Sequence, residues 1–294
     1  MSQPSDNEFI YSSFITNTEL WNRKIKRQGR MTFTDCIQSW WFDPLLATVG
    51  FTIPIHVYTY KEIQTGSSVY KNHIDVFASK GVGDDQRHSL TLSLFAYWVG
   101  IIIWVRVVPK PADALPLGIP HSFSSLAILM VEVVSGIILY DAYFFFVHWA
   151  MHECKALHYL SQHEEHHRQK ILEARHVLRH SLADGSLQVI VNIIVQRFNP
   201  WGSVKSRLAR ALHNVIVTWM LTESHTSSPQ PNVFRKYFVG VRNHRSHHLS
   251  GNRKHTYQQF FGYLDEIRLF VNARCVDIKQ GNSLGVRLKS TTCN

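Results

Sequence analysis

Cysteine is scarce. Cys36, Cys154, Cys275 and Cys293 are the four in 294 residues, and none forms a CxxC pair. That spacing excludes a disulfide framework and a thiolate-rich metal site. Cys154 alone sits among histidines, where a buried free thiol usually packs. Acid is also short, with 21 Asp plus Glu against 31 Lys plus Arg and a net charge of +10. A basic balance suits nucleic acid or an anionic membrane surface. No zinc-finger spacing or RNA-binding signature is present, so the long apolar runs favour the membrane. Aromatics at 12%, eight Trp among them, agree with anchoring at a bilayer interface. There is no secretory signal at the start and no retention tetrapeptide at the end, so internal apolar segments are expected to direct membrane targeting. No repeat is evident beyond paired histidine clusters.

The chain divides by composition. Residues 1–32 read as a polar N-terminal arm with a basic run, Arg23, Lys24, Lys26, Arg27 and Arg30. Residues 33–122 read as an N-terminal membrane region. In it, Pro44 to Tyr60 is apolar, interrupted by Pro54 and His56, and suited to the interface rather than to crossing. Residues 61–89 read as a polar loop. Leu90 to Val108, charged only at Arg106, is expected to be a transmembrane helix. Prolines 109, 111, 116 and 120 make a stiff connector, and Phe123 to Val147 is a second long apolar run carrying Glu132 and Asp141. A carboxylate inside a span faces a partner. Beyond that run lie short apolar helices at Ser186 to Phe198 and Ala211 to Leu221 around a basic loop, and 271–294 read as a polar tail. The expected fold class is all-α: a polytopic helical membrane base of about two hairpins under a cytosolic helical cap. A basic N-terminus held in the cytosol puts the cap on that side.

Histidine is what the sequence has in excess. Fourteen of 18 lie between His148 and His255. His148 and His152, then His163, His166 and His167, then His176 and His180 recur at helical spacing, and His244, His247 and His248 repeat the middle pattern. Residues three or four apart share a helix face, so each group is expected to aim its imidazoles at one spot. Asp141 lies on the face of His148 and His152, and is expected to accept a ligand's free N–H. His56, His73, His88, His121 and His158 stand alone, and His213 and His255 suit packing or polar contacts.

A single catalytic zinc takes about three protein ligands. At least eight well-spaced histidines argue for two metals, and imidazole with little carboxylate suits iron. A rival reading uses the same letters. His163-Glu164-Glu165-His166-His167 also satisfies HExxH, in which Glu164 would be the general base of a zinc protease with His163 and His167 as ligands. A non-enzymatic membrane metal-binding protein would instead spread histidines and acids along its spans.

These residues resemble the fatty acid hydroxylase/sterol desaturase superfamily of membrane oxygenases. Asp141 followed by aromatics and His148-Trp-Ala-Met-His152 resembles its first box. His163, His166 and His167 resemble the second, and His244, His247 and His248 the last. His180 with Asp184 is similar to an intermediate His–acid motif, but lacks its Pro. His225 resembles an isolated histidine before the last box, and Tyr257-Gln258-Gln259-Phe260 with Asp265 resembles the closing motif, with Leu264 in place of its Trp. The resemblance covers roughly residues 123 to 270. It implies an endoplasmic-reticulum enzyme with two irons that uses O₂ to hydroxylate or desaturate a lipophilic substrate. It also implies the metal ligands His148, His152, His163, His166, His167, His180, His225, His244, His247 and His248. His176 and Glu223 are further candidates, and Asp141 and Asp184 would orient ligands. No HPGG-type haem motif is fused, so electrons from NAD(P)H are expected through a separate cytochrome b5 and reductase-type donor.

Overall fold

The computed structural model of the chain describes residues 32–39, 41–71, 90–107, 117–168, 171–197, 205–228, 233–249 and 256–283. All regular structure among them is helical, as the sequence implies. The polar arm, most of the loop to residue 89, three of the four connector prolines, the basic loop after Arg197, His73, His88, His255 and the chain after Ser283 lie outside the described residues. The chain forms two units, Met1–Phe42 and Asp43–Asn294. The described part of the first is one short helix, α1 (Phe33–Gln38), opened by a capping box in which Thr32 and Asp35 bond each other's backbone N–H.

The second unit carries the rest. Helix α2 (Phe42–Gln64) runs unbroken through Pro54, where the sequence marks an interruption. Helix α3 (Leu90–Val107) forms where a spanning helix is expected. Helix α4 (Phe123–Glu153) begins at a capping box between Ser122 and Ser125. Its 31 residues at 1.5 Å each reach about 46 Å, against a hydrocarbon core of about 30 Å. Among the described residues, α4 is the helix long and apolar enough to cross a membrane. The surplus length carries His148 and His152 past the apolar run.

Helix α5 (Lys155–Ser161) ends at Gln162, whose left-handed backbone, φ 50°, turns the chain into the short α6 (Glu164–His167). A 3₁₀ turn (Ala174–Leu178) leads to α7 (Leu182–Arg197) and then α8 (Arg207–His225), which packs along α4 and against the 3₁₀ turn. Helices α9 (Val233–Tyr237) and α10 (Val239–Leu249) follow. Gly240 is where α10 meets the loop before α11 (Tyr263–Ser283). A Cβ there would lie 2.6 Å from the Phe260 carbonyl carbon, and the Gly240 N–H donates to the carbonyls of Phe260 and Phe261. Helix α11 passes through residue 271, where the sequence reading begins the tail. One apolar core joins α2, α4, α7 and α8 through Phe51, Ile55, Val133, Tyr140, Phe144, Val195, Val217 and Met220. The site sits at the C-terminal end of α4.

Candidate metal centre

Nine histidines meet there in two groups. His148, His152, His163, His167 and His247 form one; His166, His225, His244 and His248 form the other, and within each the ring nitrogens lie within 4.8 Å of one another. Eight are buried and His152 is partly exposed. The helical period explains the split. Each His-x2-His-His run was expected to aim at one spot, but a residue four along returns to within about 40° of the first, while one three along falls about 60° short. His163 pairs with His167 and His244 with His248, whereas His166 and His247 cross to the opposite group. Each short helix therefore serves both groups.

Backbone and carboxylate acceptors fix the rings. His148 Nδ1–H donates to the Tyr257 carbonyl (2.8 Å), His166 Nδ1–H to that of Arg179 (2.7 Å), and His225 Nδ1–H to that of Leu221 one turn back (2.8 Å). His163 Nδ1 meets Asp184 Oδ2 at 2.7 Å, a contact that fixes the ring. Burial pushes the Asp184 carboxyl up, but the His163 imidazole reverses that and holds it below the usual carboxylate range.

With Nδ1 carrying hydrogen, these neutral rings present a lone pair at Nε2. Four Nε2 pairs face each other: His148–His152 at 3.1 Å, His163–His167 at 3.0 Å, His166–His225 at 3.2 Å and His244–His248 at 3.0 Å. His166 and His225 both spend Nδ1–H on carbonyls, which only accept, so two lone pairs confront each other. A cation between them would satisfy both. A proton is disfavoured, because burial and then the neighbouring imidazole His225 hold His166 well below 6.5, and burial holds His225 to about 4. Burial lowers His167, His244 and His248 in the same way. Two metal–nitrogen bonds of about 2.1 Å meeting at a right angle set their nitrogens about 3 Å apart, so the donor set fits a metal ion in each group.

Other expected residues lie elsewhere. His180 and His176 are in neither group: His180 Nδ1 meets the Ser181 carbonyl, and His176 Nδ1 accepts from the Glu173 N–H. Glu223 accepts from the Tyr58 hydroxyl (2.6 Å) and the Arg235 N–H (2.6 Å). Cys154 is exposed. Asp141 corrects its expectation. It bonds no imidazole but accepts from Gln258 Nε2 and the N–H groups of Gln259, Phe260 and Phe261, at 2.8 to 3.1 Å. Asp265 accepts the Tyr257 and Gln258 N–H groups. Together they clamp the loop whose Tyr257 carbonyl holds His148, so Asp141 acts at one remove. Sequence reasoning missed the three carbonyl acceptors, Tyr257, Arg179 and Leu221. Only Leu221, four residues before His225, carries a readable signal. His213 bonds Asn192 and joins neither group, as its packing role implied.

An all-helical scaffold with two adjoining groups of buried imidazoles is able to hold metal. Residues 133–269, which include all nine histidines, match the family model described as Fatty acid hydroxylase. That stretch belongs to the fatty acid hydroxylase family, membrane-associated oxidoreductases that are typically metal-dependent. No curated protein and no solved structure matches the chain.

Proposed function

We propose that this protein is an O₂-dependent oxidoreductase that holds two iron ions and hydroxylates or desaturates an unactivated C–H bond of a lipophilic substrate, a sterol, acyl lipid or lipophilic secondary metabolite. The facing lone pairs of His166 and His225 carry the reading, since a metal ion between two neutral imidazoles at that separation would satisfy both. Iron bound at the two groups would supply O₂ reduction and C–H oxidation, with electrons from NAD(P)H through a separate cytochrome b5-type donor. His148, His152, His163, His167 and His247 would hold one ion, and His166, His225, His244 and His248 the other. The acceptors behind His148, His163, His166 and His225 keep the Nε2 of those rings unprotonated and aimed, and the buried setting keeps water out.

The catalytic domain spans 123–270 in this reading. The enzyme is multi-pass in the endoplasmic-reticulum membrane, with α4 in a base of about two hairpins and the histidines on the cytosolic side. His176 and His180, outside both groups, leave the ligand set, while Asp184 and, through the loop, Asp141 orient it.

The zinc-protease reading is weaker because Glu164, its general base, is about half exposed and lies 4.0 Å from His158, while His163 and His167 share their group with three further histidines. A non-enzymatic role is disfavoured by the oxidoreductase family of the histidine-bearing stretch.

The test is metal content with O₂ dependence, after anaerobic Fe(II) reconstitution to displace any zinc taken up on expression. The expected result is about two irons per chain, reduced to about one in His166→Ala and unchanged in Glu164→Gln. One zinc retained in His166→Ala, with activity that needs Glu164 but no O₂, would sink the proposal.

A further inference from the structure

We propose that Glu62, on α2 and outside the family-matched stretch, is a positioning residue for the second histidine group. The inference rests on the two-metal reading above. Glu62 is 1% exposed, and its Oε1 accepts three hydrogen bonds: from Ala174 N–H (3.0 Å), Thr226 Oγ1 (2.7 Å) and Ser227 N–H (2.8 Å). Thr226 and Ser227 directly follow His225. Ala174 opens the 3₁₀ turn that leads to Arg179, whose carbonyl fixes His166. One carboxylate oxygen thus ties together the two segments that bring His166 and His225 face to face.

The surrounding bonds point the same way. Tyr58, one turn earlier on α2, donates to Glu223, two residues before His225. Ser227 Oγ donates to the Ser67 carbonyl, and Ser68 Oγ and Val69 N–H donate to Glu173. The stretch from Tyr58 to Val69 therefore braces the end of α8 and the start of the 3₁₀ turn. No hydrogen bond runs directly from this stretch to a segment carrying His148, His152 or His247 among the described residues, so the effect falls first on the group of His166 and His225.

The division of labour on Glu62 makes the idea separable from a charge effect. Oε1 takes all three donors, while Oε2 has no hydrogen-bond partner among the described residues. A glutamine offers the same carbonyl oxygen without a charge. Burial pushes the Glu62 carboxyl up to about 7 against the pull of the Thr226 hydroxyl, so the site already tolerates a neutral side chain.

The experiment is anaerobic equilibrium titration of the full-length, detergent-purified protein with Fe(II) against a competing chelator, resolving two sites, alongside thermal unfolding. Glu62→Ala is expected to weaken one site by about 10–100-fold, the scale of groups that orient metal ligands, and to leave the other unchanged. Glu62→Gln is expected to restore both. Two wild-type-like sites in Glu62→Ala would overturn the proposal, as would equal weakening of both sites, or a Glu62→Gln variant as weak as Glu62→Ala. If Glu62→Ala does not fold, Thr226→Val removes one of the three donors and must weaken the same site; an unchanged titration then overturns it. A wild-type protein that binds no iron would instead bring down the two-metal reading itself.

Discussion

A carboxylate behind an imidazole raises its basicity and fixes its tautomer. Asp184, fully buried 2.7 Å from His163, stands in that place and fixes the ring's tautomer. In Asp184→Asn the amide oxygen still accepts the Nδ1–H, but without the charge. Iron affinity of the first group is expected to fall by about 10-fold or more, with the second group unchanged in the same titration. Glu62 gives a different signature, read as stability against pH. Its folded pKa, pushed up to about 7 by burial and by Glu173, exceeds the ordinary 4.5 of a glutamate. The folded state then holds the proton more tightly than the unfolded one. Its contribution is therefore full below about 4.5 and is lost as pH rises through about 7. Between those limits, metal-free wild type should lose on the order of 3 kcal/mol relative to Glu62→Gln. Unfolding of both proteins across that window checks it, and parallel curves would show that burial does not disfavour the charge.

Elements decide where the rings go. The loop between Thr256 and Gly262 has no regular structure, yet Asp141 and Asp265 satisfy its N–H groups from outside. Asp141→Ala leaves four donors, three of them buried, without that acceptor, and an unsatisfied buried group costs about 1–3 kcal/mol. A loss of at least about 3 kcal/mol in thermal unfolding is expected, together with weaker iron binding at the group of His148. Gly240→Ala pushes α10 off the same loop, an overpacking that costs about 1–3 kcal/mol. Here the limits of the sequence show. Three- and four-residue spacing announced the histidines and placed them on helices. It did not announce that the i and i+4 rings would separate from the i+3 ring, because that depends on a second group waiting on the other side. Nor could spacing give Asp141 its partners, which lie 117 to 120 residues away, or link Glu62 to Thr226 across 164 residues. Local periodicity is written in the chain, whereas bonds between distant segments are set by packing.

At the scale of the molecule, the question is which side of the membrane the histidines face. Helix α4 exposes Ile128, Val131, Val134, Ile138 and Phe146, a face that water would not favour and acyl chains would cover. Apolar outward and long enough to cross, it carries His148 and His152 at one end, while Ser122 at its start must lie at the other. Cys154, exposed just beyond the helix, is a ready marker of the histidine side. With Cys36, Cys275 and Cys293 replaced by serine, an impermeant maleimide is expected to label Cys154 in sealed microsomes whose cytosolic face is outward. A cysteine placed at Ser122 instead is expected to react only after the membrane is opened. Labelling of both sites in sealed vesicles, with alkaline carbonate releasing the protein, would mean that α4 lies on the surface. Labelling of neither until the membrane is opened would put the histidines in the lumen, out of reach of a cytosolic electron donor. The surplus length of α4 bears on the crossing rather than on its direction: a helix about 16 Å longer than the hydrocarbon core projects on one side, its charged and histidine-bearing end is the one that projects, and the labelling pattern assigns that side to cytosol or lumen.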